Sequence, residues 1–278
     1  MAMLWLCVQV HVVLQLQLAQ ATSPPAAART GVCPPAVLKL SPRPHSFVGR
    51  SGHCALDVGW VIALPQDAAA AEALRRPAEM LAAGIENRTG LRIKISSTAA
   101  AHVIALQLSS SGPLASGPQA FGTVDEGYRL AINTTSVSMA ASTARGVHYS
   151  TRTFLQLLSL SGQAPACVID DKPDLPVRGF YLDSKPSTGL NETFFAELAA
   201  KMGDLKMNSL ILHNEAFIAL SGASGRAIKS STLARLKNVS AVLAANQIDM
   251  IAEIGPYYSF GSFEGAFNCL PPCATNWL

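Results

Sequence analysis

At Asp170-Asp171-Lys172-Pro173-Asp174-Leu175-Pro176 the chain changes its rhythm, and this break constrains the fold more than any other feature. Two prolines and four charged residues within seven positions argue against a helix or central strand running through. Beyond it, short apolar runs alternate with helical patterns. Gly179-Phe180-Tyr181-Leu182-Asp183 reads as a strand and Asn191 to Leu205 as a helix. Met207 to His213 is a second strand, Ser231 to Asn246 a helix and Asp249 to Ile254 a third strand. Strands alternating with helices imply a parallel sheet covered on one or both faces. Three such units cannot close a barrel of eight. Either this region is a small open sheet or the sequence stops early, and truncation is the expectation.

Before the break, from about Ala36 to Gln163, the order of signals is mixed. Trp60 to Leu64 is a short buried strand. Asp67 caps a helix through Leu74, Met80, Leu81 and Ile85, with Gly90 as its stop and Pro77 as an expected kink or split. Leu91 to Ile95 alternates as a half-buried strand should, and His102 to Leu108 is another. Ser109 to Gly122 is a loop, and Gly127–Asn133 with Ser136–Ala140 form a hairpin pair. Ser142 caps a helix whose Val147, Phe154, Leu155, Leu157 and Leu158 face inward. The fold class is α/β: an α+β domain at 36–168, then an incomplete (β/α) barrel-type region at 169–278 with about three βα units.

Residues 1–21 carry no charged side chain, hold an apolar run from Leu4 to Val13, and end in Ala19-Gln20-Ala21. The run is too short to span a bilayer of about 30 Å, so it reads as a cleaved secretory leader. A Pro- and Ala-rich linker follows at 22–35. No membrane association is expected once the leader is gone. Cys33, Cys54, Cys167, Cys269 and Cys273 then remain, an odd number that leaves at least one thiol free or paired outside this sequence. Sequons at Asn87, Asn133, Asn191 and Asn238 fit export, to the exterior or to a lysosome- or vacuole-like compartment. The net charge of +3 comes from scattered Lys and Arg, which excludes the basic stripe of a nucleic-acid binder. Cys269-Leu270-Pro271-Pro272-Cys273 lacks the further ligands of a zinc site, and the histidines are dispersed, so no metal or cofactor is expected.

Pro173 to Asp183, with its Arg178-Gly179 step and its Leu182-Asp183 strand end, resembles the opening of the catalytic barrel in glycoside hydrolase family 20, the β-N-acetylhexosaminidases. Glu126-Gly127-Tyr128-Arg129-Leu130 and Arg145-Gly146-Val147-His148-Tyr149, running into Thr153 to Leu158, resemble that family's non-catalytic α/β domain. Leu205 to Leu210 resembles its helix-to-second-strand step. The resemblance implies removal of terminal N-acetylhexosamine from glycans by a substrate-assisted retaining reaction, in which the substrate's own acetamido oxygen attacks the anomeric carbon. It also implies that Arg178 grips hydroxyls of the terminal sugar while Asp183 supports that pocket. The residues by themselves equally admit an Arg178–Asp183 ion pair at the start of the barrel.

In the family an Asp-Glu pair after the fourth strand orients the acetamide and protonates the leaving oxygen, and this sequence ends after the third. Its only Asp-Glu dipeptide, Asp125-Glu126, precedes a hairpin and reads as a solvated turn. No catalytic residue is therefore assigned. Lys185 stands where the family carries an arginine after the first strand, and Ser262 where it carries a histidine. Glu215 and Glu253 are further possible pocket residues at strand ends. Their plainer readings are loop solvation for Asn214 and Glu215, and an internal ion pair for Glu253. The alternatives to a hexosaminidase are an inactive carbohydrate-binding pseudo-enzyme, or another barrel glycosidase with a similar first domain, such as an α-glucuronidase or a family 84 enzyme. Oligomeric state is not legible.

Overall fold

A computed structural model describes residues 40–97, 100–109, 125–183, 191–213 and 230–253. Seven strands form one mixed sheet: β1 (Ser46–Ala55), β2 (Val61–Ala63), β3 (Lys94–Ser96), β4 (Val103–Leu108), β5 (Tyr128–Ile132), β6 (Ser136–Ala141) and β7 (Gln163–Asp171). Their order is β1-β7-β5-β6-β4-β2-β3. The β1, β7, β5 and β6 side is antiparallel, whereas β6, β4, β2 and β3 pair in parallel. Helices α1 (Ala68–Thr89) and α2 (Ala144–Leu157) pack together against this sheet. The core holds Trp60, Ile62, Leu81, Ile104, Leu130, Met139 and Phe154, all essentially inaccessible.

Helix α1 is set by its ends. The Asp67 side chain accepts from the Ala70 N–H at 2.8 Å, and Gly90, at φ 77°, returns its N–H to Glu86 O. Pro77 neither splits nor ends it: the helix runs unbroken for 22 residues. One backbone bond is forgone there, while Leu74, Pro77, Ala78, Leu81 and Ile85 bury one continuous stripe. The cap of α2 is Thr143, whose side chain accepts from Gly146 N–H, and not Ser142. Ser142 instead donates to Asp125 Oδ2 at 2.5 Å.

The sequence hides β1 and β7. Strand β1 buries only Cys54 fully, and its register slips between Gly49 and His53, where Gly52 takes φ 91°. Asp170 and Asp171 belong to β7 rather than to a connecting loop, because β7 pairs on both sides with β1 and β5. The Leu91–Ile95 alternation yields only the three-residue β3.

A second, fully parallel sheet has the order β10-β9-β8, made of β8 (Gly179–Asp183), β9 (Ser209–His213) and β10 (Asp249–Glu253). Helices α3 (Glu192–Asp204) and α4 (Ser230–Ala245) cover one face. Phe195, Met202, Leu236, Val239 and Leu243 pack there with Leu210 and Leu212 of β9. Side chains alternate along a strand, so Ser209, Ile211 and His213 point to the other face. Beside Ile211 on that face, Tyr181 is 53% and Ile251 43% exposed. Among the described residues, no helix is long and apolar enough to cross a membrane.

Candidate functional site

Parallel pairing places three polar side chains in one row. Asp183 ends β8, His213 ends β9 and Glu253 ends β10, and the three are register partners. Being in register, they project to the same face, at the carboxyl ends of parallel strands, where α/β sheets form their ligand sites. His213 Nδ1 lies 3.5 Å from Glu253 Oε2. The imidazole is buried, whereas the Glu253 side chain is 40% exposed. Two carboxyl groups flanking an imidazole give a strip of acceptors beside a ring that can both donate and accept, suited to polar ligand groups. Among the described residues, no group of His, Cys, Asp and Glu could hold a metal ion.

A second polar cluster forms at the opposite, amino ends of the same strands. Glu126 is only 3% exposed and sits between three cations or amides. Its Oε2 accepts from Arg178 Nη2 at 2.5 Å. Its Oε1 accepts from Asn208 Nδ2 at 3.0 Å and faces Arg145 Nη1 at 3.5 Å. Arg178 also donates from Nε to Lys206 O and from Nη1 to Leu175 O, and it lies over the Tyr149 ring. Lys206 is buried and gives Nζ to Asp171 Oδ2 and to the Tyr128 hydroxyl, each at 2.8 Å. Burial pulls the Lys206 ammonium below its usual pKa, and Asp171 opposes that shift. Burial, with the Asp171 charge, pushes the Tyr128 hydroxyl well up, so it stays protonated and donates to Asp171. A cavity of about 200 Å³ opens beside these groups, lined in part by His45, Asp174, Arg178 and Lys206.

The structure separates two residues that the sequence suggested act together. Arg178 precedes β8 and Asp183 ends it, which puts their backbones about 16 Å apart along an extended strand. The ion partner of Arg178 is Glu126 of the first sheet's domain, not Asp183. Asp125-Glu126 is likewise no solvated turn: Asp125 accepts from Ser142 and Gly127, and Glu126 is the buried centre of the junction. Glu253 faces one basic side chain, His213, across 3.5 Å. Glu215, Asn214, Lys185, Ser262, Cys33, Cys269 and Cys273 lie outside the described residues. Cys54 and Cys167 are buried free thiols, each pushed up to about 11 by burial and so poorly nucleophilic. Asn87, Asn133, Asn191 and Asn238 are all exposed. Asn191 also caps α3 by accepting from Phe194 N–H, and Asn238 donates to Glu192.

Sequence reasoning missed Lys206, Asn208 and His213. The first two sit in a helix-to-strand turn with no periodic signal. His213 is visible only as the last residue of an apolar run, and pairing register alone reveals its neighbours.

Comparison with known proteins fits this organisation. Residues 37–172 match the family described as Glycosyl hydrolase family 20, domain 2. The fold is similar to the N-acetyl-beta-hexosaminidase of Streptomyces plicatus solved with Thio-NAglucal, at a TM-score of 0.63 and 22% identity, over 80% of this chain and 46% of that one. It is similar too to the GH20 beta-N-acetylhexosaminidase of Streptomyces coelicolor A3(2), at a TM-score of 0.60 and 22% identity, over 80% and 47%. The GH20 exo beta-N-acetylglucosaminidase of Vibrio harveyi gives a TM-score of 0.57 at 15% identity, over 79% and 36%. The chain thus spans less than half the length of these structures. No curated protein matches it by sequence. Its fold is that of a glycoside hydrolase-like α/β protein. The segment 37–172, just under half of the chain, is similar to domain 2 of glycosyl hydrolase family 20.

Proposed function

We propose that this chain supplies the first half of a β-N-acetylhexosaminidase-type glycoside hydrolase acting on glycans that end in N-acetylhexosamine. One observation carries the reading: a family-20 domain 2 leads straight into a parallel sheet whose strand ends align Asp183, His213 and Glu253. In this reading the second sheet is the beginning of a (β/α) barrel, and the row is part of its sugar-binding rim. The aligned carboxylates accept hydrogen bonds from ring hydroxyls, and the imidazole donates to or accepts from the ligand. Hydrolysis proceeds with the substrate's acetamido oxygen as nucleophile, so the protein needs a general acid but no nucleophile of its own. The only Asp-Glu dipeptide in the sequence, Asp125-Glu126, is committed to the junction, so this chain does not supply that acid. The leader-like residues 1–21 and the four exposed sequon asparagines support export.

A second reading, a carbohydrate-binding pseudo-enzyme, is favoured by Lys185 and Ser262 at positions where the family carries an arginine and a histidine. Hydrolysis of a chromogenic N-acetyl-β-glucosaminide separates the two. The 278-residue chain is expected to be inactive, and the chain joined to any reading frame that follows it active. Turnover by the 278-residue chain alone would refute the assignment of the acid elsewhere, and an inactive extended protein would favour the pseudo-enzyme.

A further inference from the structure

The geometry points to Glu126 as a positioning residue: from the domain built on the first sheet, it fixes the height and register of the strands that carry the Asp183–His213–Glu253 row. The inference rests on reading that row as the sugar site.

Each of the three strands is tied at its amino end to the first sheet's domain. Strand β8 is held by Arg178, whose guanidinium meets Glu126 Oε2. Strand β9 is held by Asn208, whose Nδ2 donates to Glu126 Oε1. Strand β10 is held by Asp249, whose Oδ1 accepts from Arg145 Nη2 at 2.9 Å, while the same guanidinium faces Glu126. Glu126 makes the first two ties directly and faces the guanidinium that makes the third.

Asn208 turns these ties into a register. Its Oδ1 accepts from the Arg178 backbone N–H and from the Ser209 hydroxyl, its N–H donates to Arg178 O, and its own O accepts from Asp249 N–H. Gly179 completes the lock: a Cβ there would meet Ser209 O at 2.9 Å, so only glycine lets β8 and β9 close at this level. Gly179 and Ser209, which directly follow the tied Arg178 and Asn208, are register partners with the tied Asp249, and four residues further along stand Asp183, His213 and Glu253. Because side chains alternate, a slip of one residue at the tied end would turn any of the three away from the row. Glu126 touches none of the three, so its influence on them runs through the strands.

Dependence of this kind gives a signature that lost stability alone does not. In the full 278-residue chain without sugar, the His213 imidazole resonances, assigned with His213→Gln, report the geometry of the row. Glu126→Ala is expected to shift or broaden them, and Glu126→Asp to bring them most of the way back. Leu74→Ala cuts the first sheet's core on α1 without touching a tie, and it is expected to lower Tm while leaving the His213 signal in place. If Glu126→Ala does not fold, the nearly isosteric Glu126→Gln takes its place, with the same expected shift. An unmoved His213 signal in folded Glu126→Ala or Glu126→Gln, or an equal shift in Leu74→Ala, would overturn the inference. These readouts need no ligand, so a failure of sugar binding would count against the functional reading and leave this one standing.

Discussion

At the scale of single residues, the junction is built from groups that ought to be unfavourable and are not, because each is answered. Lys206 takes φ 57°, a left-handed backbone that costs a non-glycine residue roughly 1–2 kcal/mol. Its ammonium is nevertheless committed to Asp171 and Tyr128, a role glycine could not fill. His148 is the opposite case. It is fully buried in α2, and neither ring nitrogen meets a hydrogen-bond partner among the described residues. Burial first, then the charges of Arg152, Arg145 and Arg76, depress its pKa from 6.5 to about 3. An unfolded chain therefore takes up a proton that the folded chain refuses, and folding is weakened as pH falls below 6.5, until about pH 3. The effect is about 1.4 kcal/mol per pH unit well inside that window. Urea titrations at pH 7 and pH 5 should show this loss, and His148→Phe should shrink it by roughly 2 kcal/mol. Equal acid sensitivity in both proteins would show that His148 is not the group concerned.

At the scale of elements, the strands and helices bounded by strong punctuation were legible and the rest were not. Asp67 and Gly90 announce both ends of α1, and the apolar runs at Leu210–Leu212 and Phe180–Leu182 announce their strands. Strand β1 carries polar residues and glycines along an exposed edge, so neither alternation nor a buried run betrays it. Strand β7 disappears into an acidic, proline-flanked stretch because Asp170 and Asp171 find partners far away in sequence, Arg129 and Lys206. The site was legible in part: Asp183 and Glu253 end strands that the sequence shows, but which residues stand beside them depends on pairing register. Contact between elements also explains Gly146. A Cβ there would come within 2.7 Å of both Ala141 Cβ and Gly127 O, which is backbone and cannot swing aside. Gly146→Ala should therefore push α2 off the β5–β6 hairpin and cost about 2 kcal/mol. Gly84→Ala, which meets only the tip of the Leu155 side chain, should cost less. Thermal unfolding of the two variants checks the order, and equal losses would contradict it.

At the scale of the whole molecule, the first sheet's domain is a platform tied to the amino ends of three parallel strands, and Asp183, His213 and Glu253 stand in register at their carboxyl ends. The most direct test is to titrate N-acetylglucosamine into the full chain and follow the His213 imidazole signal. The account predicts a saturable shift that Asp183→Ala or Glu253→Ala weakens at least tenfold, about 1.4 kcal/mol or more of binding. No shift at high sugar concentration, or a shift indifferent to both substitutions, would contradict the placement of the sugar site at this row.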